Sequence, residues 1–360
     1  MKFTKEIEKT IKTFIIEQVP SHKNDIVTFT MKHFGISKPT AAKFLTQLIS
    51  ENIIEMNRRG RYPDYSLITK EYFFTYKLKD KLEEDVILRK DILPFLSDVQ
   101  ENVQRIVQYC FTEMVNNVID HSNADIMNVE VDLNALNIEI LIRDNGIGIF
   151  NKIQKTLGLE DPKYAILELA KGKFTSDPER HSGEGIFFSS RLCDKFMILS
   201  GGLFFSGHHE NDWLLENPDS VSGTAVSMLI AKNSHLNISD IFNEYADPDK
   251  QPDFYKTRIP VKLMEYEGEL LLSRSQAKRL ITRFDKFLEV VLDFQGVTEI
   301  GQAFADEVFR VFRNAHPNVH LEPINCSPTV QRMIAYISAD YFQNIYNRAP
   351  LKTQILGSFS

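Results

Sequence analysis

The sequence predicts an α+β protein of several domains, and three observations lead to that reading. At 360 residues the chain is longer than one ordinary hydrophobic core accommodates. From about residue 92 to 232 one long helical pattern is followed by strand patterns and glycine turns, and from about 256 onward strands and helices alternate again. The polar, proline-bearing stretch Asp247-Pro248-Asp249-Lys250-Gln251-Pro252 parts the two runs, and a basic segment of short helices and a hairpin precedes both.

Composition narrows the function classes. Hydrophobic content of 43% and charged content of 25% are those of a globular protein. No apolar run approaches the roughly 18 residues that a membrane span needs. The start, Met1-Lys2-Phe3-Thr4-Lys5-Glu6, is charged and lacks the apolar core of a secretion signal, so a cytoplasmic protein is expected. Cys110, Cys193 and Cys326 are far apart in sequence and show no metal-ligand spacing, which reads as reduced, buried thiols. Net charge is −7, against a protein that coats nucleic acid with its whole surface. Residues 1–68, however, hold eleven Lys/Arg against seven Asp/Glu, a balance of +4 that leaves −11 on the remainder. One basic module on an acidic body is the asymmetry of a chain that meets nucleic acid through that module.

In the first segment, Lys23 to Phe34 reads as a helix, and Ser37 suits the N-cap of a second with Pro39 in its first turn. Ala41, Phe44, Leu45, Leu48 and Ile49 recur at helical spacing and leave Lys38, Thr40, Lys43, Thr46 and Gln47 on other faces. Arg58-Arg59-Gly60-Arg61-Tyr62 is a basic turn between extended pieces. Helix, turn, helix and basic hairpin resemble a winged helix-turn-helix of the bacterial repressor kind. Such modules bind DNA or serve protein interaction and dimerisation. The shared sign of Arg58, Arg59 and Arg61 with Lys38 and Lys43 directs the expectation to duplex DNA, with Thr40 beside the lysines.

The helix expected around 98–121 buries Val103, Ile106, Val107, Cys110, Phe111, Met114, Val118 and Ile119. Glu113 and Asn117 are four apart and share one face. Asn137 to Asp144 alternates into a buried strand that ends in Asp144-Asn145-Gly146-Ile147-Gly148. Ser182-Gly183-Glu184-Gly185 then opens another helical run, and Gly223-Thr224 precedes an apolar strand from Ala225 to Ile230.

An acid–amide helix, an aspartate closing a strand into a glycine turn, and a second glycine turn at a helix start resemble, in this order, the GHKL ATP-binding fold. DNA gyrase, the heat-shock chaperone of that class, histidine kinases and the mismatch-repair ATPases share it. The resemblance implies that ATP and Mg2+ are bound. It makes Asn117 the magnesium ligand, Glu113 the group that orients and deprotonates the attacking water, and Asp144 the acceptor for the adenine amino group. Gly146 and Gly148 would let the backbone turn around the nucleotide, Gly183 and Gly185 would cradle phosphate, and Thr224 would support Asp144. Asp120 and His121 fall where relatives often carry Asp or His, which implies supporting positions. Many relatives have a longer glycine repeat at the second turn, from which Glu184 departs. Residues 150–182 occupy the place of the lid over the phosphates, with Lys171, Lys173, Thr175, Arg180 and His181 near its end. One of these cations would meet the γ-phosphate, which one being left open, and Lys173 is counted among the nucleotide-binding residues.

Further on, Leu288 to Asp293 reads as a buried strand, then a turn with Gly296, then a helix from Gly301 with Phe304, Val308, Val311 and Phe312 inward. This resembles the STAS fold of anti-anti-sigma regulators. Those carry Asp-Ser-Ser at the helix start with a phosphorylated serine; here Gly301-Gln302-Ala303 has no hydroxyl. Ser273 to Gln276 looks like a capped helix start, and Asp306, Glu307 and Arg310 form either a polar site or surface helix pairs.

The expected organisation is a winged helix-turn-helix at 1–68, a connector at 69–91, a GHKL α/β sandwich at 92–232, a linker at 233–255, a STAS-like α/β domain at 256–345 and a tail at 346–360. The expected function is an ATP-binding, slowly hydrolysing DNA-binding regulator, with a protein partner for the STAS-like domain and a homodimer by analogy. The alternatives are a serine/threonine protein kinase of the anti-sigma type acting on a separate protein, and a non-hydrolysing ATP-bound scaffold. Residues 69–112 contain no histidine, so no phosphoacceptor helix pair of a histidine kinase precedes the site.

Overall fold

The computed structural model describes residues 3–58, 63–80, 82–174, 183–207, 213–216, 222–246, 254–265 and 270–337. Two compact units are distinguished: 1–152 with 188–211 and 215–238, and 153–187 with 212–214 and 239–360.

The first unit begins with three helices, α1 (Lys5–Gln18), α2 (Ile26–Phe34) and α3 (Lys38–Ser50), then the hairpin strands β1 (Ile54–Arg58) and β2 (Pro63–Leu67). Thr4 caps α1 and Ser37 caps α3, each accepting an otherwise unpaired first-turn amide, and Gly35 ends α2 in the left-handed conformation. The middle helix starts at Ile26, later than Lys23. Ile11, Ile15, Ile26, Phe44, Leu48 and Ile54 close one small core between the helices and the hairpin. The strands pair antiparallel from Ile54↔Leu67 to Arg58↔Pro63. Three helices and then a hairpin follow one another in this segment.

Residues 69–91, expected as a connector, instead supply a strand. β3 (Lys70–Lys77) pairs along its whole length with β4 (Ile126–Leu133), and Tyr72 stacks on Phe95. Tyr72, Phe74 and Tyr76 are half-buried and alternate with exposed Glu71, Phe73, Thr75 and Lys77, which gives β3 one inward aromatic side on which it joins the sheet. A short helix α4 (Glu84–Ile87) and its irregular continuation through Leu96 lead into the long helix α5 (Glu101–His121). The remaining elements of this region are β5 (Asn137–Asp144), α6 (Ile149–Leu157), α7 (Tyr164–Lys171), α8 (Gly185–Leu192), β6 (Lys195–Ser200), β7 (Leu203–Gly207), β8 (Trp213–Glu216) and β9 (Thr224–Ala231). The seven strands run β3-β4-β5-β9-β6-β7-β8 across the sheet.

Period-two alternation fixes which face of that sheet is buried. Met127, Val129, Val131 and Leu133 of β4, Ile138, Ile140 and Ile142 of β5, Val226, Met228 and Ile230 of β9, and Phe196 and Ile198 of β6 all point to the core. α5 lies across β5 and β9, burying Val103, Ile106, Val107, Cys110, Phe111, Met114, Val115 and Val118. Ile119 is only half-buried, and Val115 takes the inward place that periodicity gave to it. Each such side chain contributes about 1.5–3 kcal/mol when fully buried. Cys110 and Cys193, distant in sequence, are both buried with their sulfurs 3.8 Å apart; Cys326 is half-buried.

In the second unit, α9 (Ile238–Tyr245) occupies part of the stretch expected as linker, with Tyr245 buried. β10 (Lys256–Pro260), β11 (Glu289–Asp293) and β12 (His320–Ile324) form a parallel sheet with Ile259↔Leu292 and Leu292↔Pro323 in register. Parallel neighbours require helical crossovers. α10 (Arg274–Ile281) makes the first, and α11 (Gln302–Asp306), a π-helical turn at Glu307–Phe312 and α12 (Arg313–Ala315) make the second. Ser273 and Gln276 form a full capping box on α10. Phe304, Val308 and Phe312 are buried, while Val311 is half-buried. Among the described residues no helix is long and apolar enough to cross a membrane.

Candidate nucleotide site

The same alternation that buries the sheet face places three polar groups at its end. Continuing inward from Ile138, Ile140 and Ile142 gives Asp144; the first inward residue of β9 is Thr224; the last of β6 is Ser200. Ser200 lies opposite Thr224 and Arg143 opposite Ala225, so the three stand side by side at one sheet end. All three are buried.

Hydrogen bonds tie this row into one structure. The Asp144 carboxylate accepts the Gly146 amide at 2.8 Å and also the backbone amide of Thr224. Burial raises its pKa above the ordinary carboxylate value, while those two amides pull it back. The Ile149 amide donates to Thr224 Oγ1 at 3.0 Å, and Ser200 Oγ donates to the Gly223 carbonyl at 2.8 Å. A Cβ on Gly223, where φ is +86°, would stand 2.0 Å from the Asp144 carbonyl oxygen, so only glycine lets the two strand ends meet.

The turn after Asp144 is also fixed to the end of α5. The Ile147 amide donates to the Ser122 carbonyl at 2.9 Å, and Lys152 Nζ donates to the His121 carbonyl at 2.8 Å. A Cβ on Gly146 would stand 2.1 Å from the Ser122 carbonyl oxygen. Asn145 Oδ1 accepts the amides of Asp125 and Ile126, holding the chain that leaves α5. Glu113 and Asn117, both half-buried, stand on α5 about two turns and one turn, respectively, before this junction. The structure thus joins the acid–amide helix to Asp144, Gly146, Gly148 and Thr224 in one unit.

Lys152, Ser122 and Ser200 were not singled out by sequence reasoning. Lys152 was readable as a cation near a helix C-terminus only once the turn's position was known. Ser200 stands at an inward strand position, where period-two counting from Phe196 finds it.

The other expected site residues lie in the second unit. Gly183, at φ +72°, stands where a Cβ would meet the Phe174 backbone within 2.3 Å, and Gly185 is the first residue of α8. Lys173 Nζ donates to the Lys286 carbonyl at 3.3 Å and lies over the rings of Phe254 and Phe287. Lys171 is fully buried, with Nζ donating to Glu168 at 2.6 Å and to the Thr282 carbonyl at 2.9 Å. Burial pushes its pKa down to about 8, with Glu168 acting in the opposite sense. Thr175, Arg180 and His181 lie outside the described residues.

Of the expected DNA contacts, Lys38 and Lys43 are exposed on α3, and Thr40 Oγ1 is 2.8 Å from Ser37 Oγ. Arg58 ends β1, and Arg59 and Arg61 lie outside the described residues. In the C-terminal domain, Asp306 is paired with Arg310 one turn on and with Arg274 at 3.3 Å; the Arg310 hydrogen bond holds its carboxyl below the usual range. At Gly301, just before α11, a Cβ would stand 2.8 Å from Leu272 Cα, so the backbones approach closely there.

No curated protein matches the chain. Residues 102–232 match the family model described as histidine kinase-, DNA gyrase B-, and HSP90-like ATPase, and residues 276–331 match a STAS-like domain of unknown function (DUF4325). The chain is therefore a multidomain α+β protein with a GHKL-type ATPase domain, which supports ATP binding and a kinase or ATPase type of function, followed by a STAS-like domain.

Proposed function

We propose that this protein is a Mg-ATP-dependent regulator whose nucleotide state gates DNA binding by residues 1–68. The observation that carries the reading is the junction just described: α5, with Glu113 and Asn117 on one face, is pinned at its C-terminal end to the turn that follows Asp144. An adenine-reading carboxylate and an acid–amide pair are thereby held on one rigid frame, as a nucleotide bridging them requires.

Each residue then has a task. Asp144 accepts the adenine amino group, with Thr224 and Gly146 holding the carboxylate in place. Gly148 leaves the backbone open beside the base, and the amides at Gly183 and Gly185 face phosphate. Asn117 offers an amide oxygen, a hard donor of the kind Mg2+ takes alongside several waters. Magnesium, when bound, neutralises charge on the transferring phosphoryl group. Glu113 orients the attacking water and takes its proton. Lys173 is proposed for the γ-phosphate only with release from Lys286, since its ammonium lies against that carbonyl and two rings. Hydrolysis is slow and resets the switch.

DNA binding rests on the +4 balance of residues 1–68, on the exposed Lys38 and Lys43 of a capped helix, and on three arginines: Arg58 at the end of β1, and Arg59 and Arg61 in the sequence between β1 and β2. A homodimer and a protein partner for the STAS-like domain complete the reading, in the cytoplasm.

The test is selection of bound fragments from a random duplex library by the full-length protein, with and without Mg-ATP. Enrichment of a sequence whose affinity changes at least about fivefold with nucleotide supports the gate. Enrichment indifferent to nucleotide removes the gate, and retention of no duplex removes the DNA reading. Transfer of label from ATP to a separate protein would instead favour the anti-sigma-type kinase, and ATP held without cleavage the scaffold.

A further inference from the structure

The part of the chain between the two glycine turns folds with the C-terminal residues. α7 packs on β10, where Thr257 Oγ1 donates to the Lys171 carbonyl at 2.8 Å. Glu168 is buried and receives two cations: Lys171 at 2.6 Å on one oxygen and Arg283 at 2.8 Å on the other. Arg283 also donates to the carbonyls of Gly172 and Lys173 at 2.9 and 2.6 Å. Its backbone sits in the left-handed region at φ 65°, a conformation that costs a non-glycine residue energy and persists where the surroundings enforce it. Arg279 stacks on Tyr164 with its guanidinium carbon 4.7 Å from the ring centroid. At the other end of the segment Phe187 meets Phe254 at 4.5 Å between ring centroids. Gly172 lies so close to both rings that a Cβ would come within 2.9 Å of each.

A surface contact does not need a buried carboxylate shared by two cations. Removing Glu168 would strand two cations in a low-dielectric interior, so the cluster ties residues 164–174 to 274–286. The same segment is continuous in the chain with Gly148 before it and Gly183 after it.

We infer that Glu168, Lys171 and Arg283 make the STAS-like domain the output of the nucleotide site, because residues 164–174, which lie between the two glycine turns in sequence, are built into the same unit as that domain. The inference rests on the nucleotide reading of those turns. Nucleotide binding that shifts residues 164–174 shifts α10 and β10 with them, with no separate partner needed to carry the change.

Hydrogen exchange of the full-length protein, with and without Mg·AMP-PNP, tests this. Amides in 256–260 and 274–286 are expected to change exchange rate together with 164–174, by about fivefold or more. In Arg283→Met the nucleotide effect persists around 144–148 and 185–192 and disappears from 274–286. Should Arg283→Met not fold, Arg283→Lys, which keeps the charge and loses the second arm, reduces the effect. Nucleotide-free exchange of 164–174 and 274–286 rises in step in either variant, while 129–142 stays as in the wild type. Binding that leaves 256–286 unchanged in the wild type overturns the coupling alone, as does wild-type coupling in both variants. Failure to bind AMP-PNP in equilibrium dialysis overturns the nucleotide reading and the coupling with it.

Discussion

The Asp144 carboxylate accepts the amide of Gly146 two residues later, at 2.8 Å, and so closes the turn that follows β5. Both residues are fixed by backbone beyond the turn: Gly146 by the Ser122 carbonyl and Asp144 by Gly223. Gly146→Ala is therefore expected to destabilise the first unit by about 2–4 kcal/mol, because backbone, not a movable side chain, stands where the methyl must go. Thermal unfolding checks this, with Gly158→Ala, whose Cβ position meets nothing within 4 Å, as the milder control that carries only left-handed strain.

The raised pKa of Asp144 has a definite sign. The folded carboxyl holds its proton to higher pH than the unfolded one, so the native state binds more protons in the interval above 3.8. Wild-type stability relative to Asp144→Asn is expected to fall as pH rises through that interval, then level off. ATP affinity should move oppositely, gained as the carboxylate ionises, whereas Asp144→Asn binds poorly at every pH. Calorimetric titrations at several pH values give both curves.

Among the buried charges of the second unit, Glu168 matters most, because two cations depend on it. Glu168→Ala should cost about 3–5 kcal/mol, and Lys171→Met far less, since Arg283 remains paired with the carboxylate. Lys171 releases its proton near 8 when folded and at 10.5 when free, so the unfolded state binds more protons between those values. Stability relative to Lys171→Met should rise across that window. Denaturant midpoints at successive pH values measure it.

For the N-terminal module, Lys43→Glu should weaken duplex binding across sequences and flatten its dependence on salt by about one unit in the log–log slope. Lys12→Glu, on α1 and paired with Glu51 at the C-terminal end of α3, opposite the end that carries Lys38, should leave that slope unchanged. Fluorescence anisotropy at several salt concentrations distinguishes the two.

Much of this was legible because local chemistry set it. Ser37 and Ser273 cap helices as their positions announced, and the alternation ending in Asp144 located the strand end to the residue. What escaped were decisions made by distant chain. Tyr72, Phe74 and Tyr76 alternate over a stretch too short to separate a sheet edge from a connector, and only β4 decides it. Lys171 and Lys173 looked like solvent-facing lid cations, but burial of α7 against β10 was encoded in Thr257, Glu168 and Arg283, which no local pattern links. Ile238 to Tyr245 likewise read as linker until Tyr245 met Phe187 at 5.0 Å.

In the proposed function, the face of α5 presenting Glu113 and Asn117 turns over Mg-ATP. Release of labelled phosphate by the purified wild type, beside Glu113→Gln and Asn117→Ala, tests it most directly. The account predicts slow magnesium-dependent release, a loss of about 100-fold or more in Glu113→Gln with ATP still bound, and loss of binding itself in Asn117→Ala. Phosphate release at wild-type rate in both variants would contradict it.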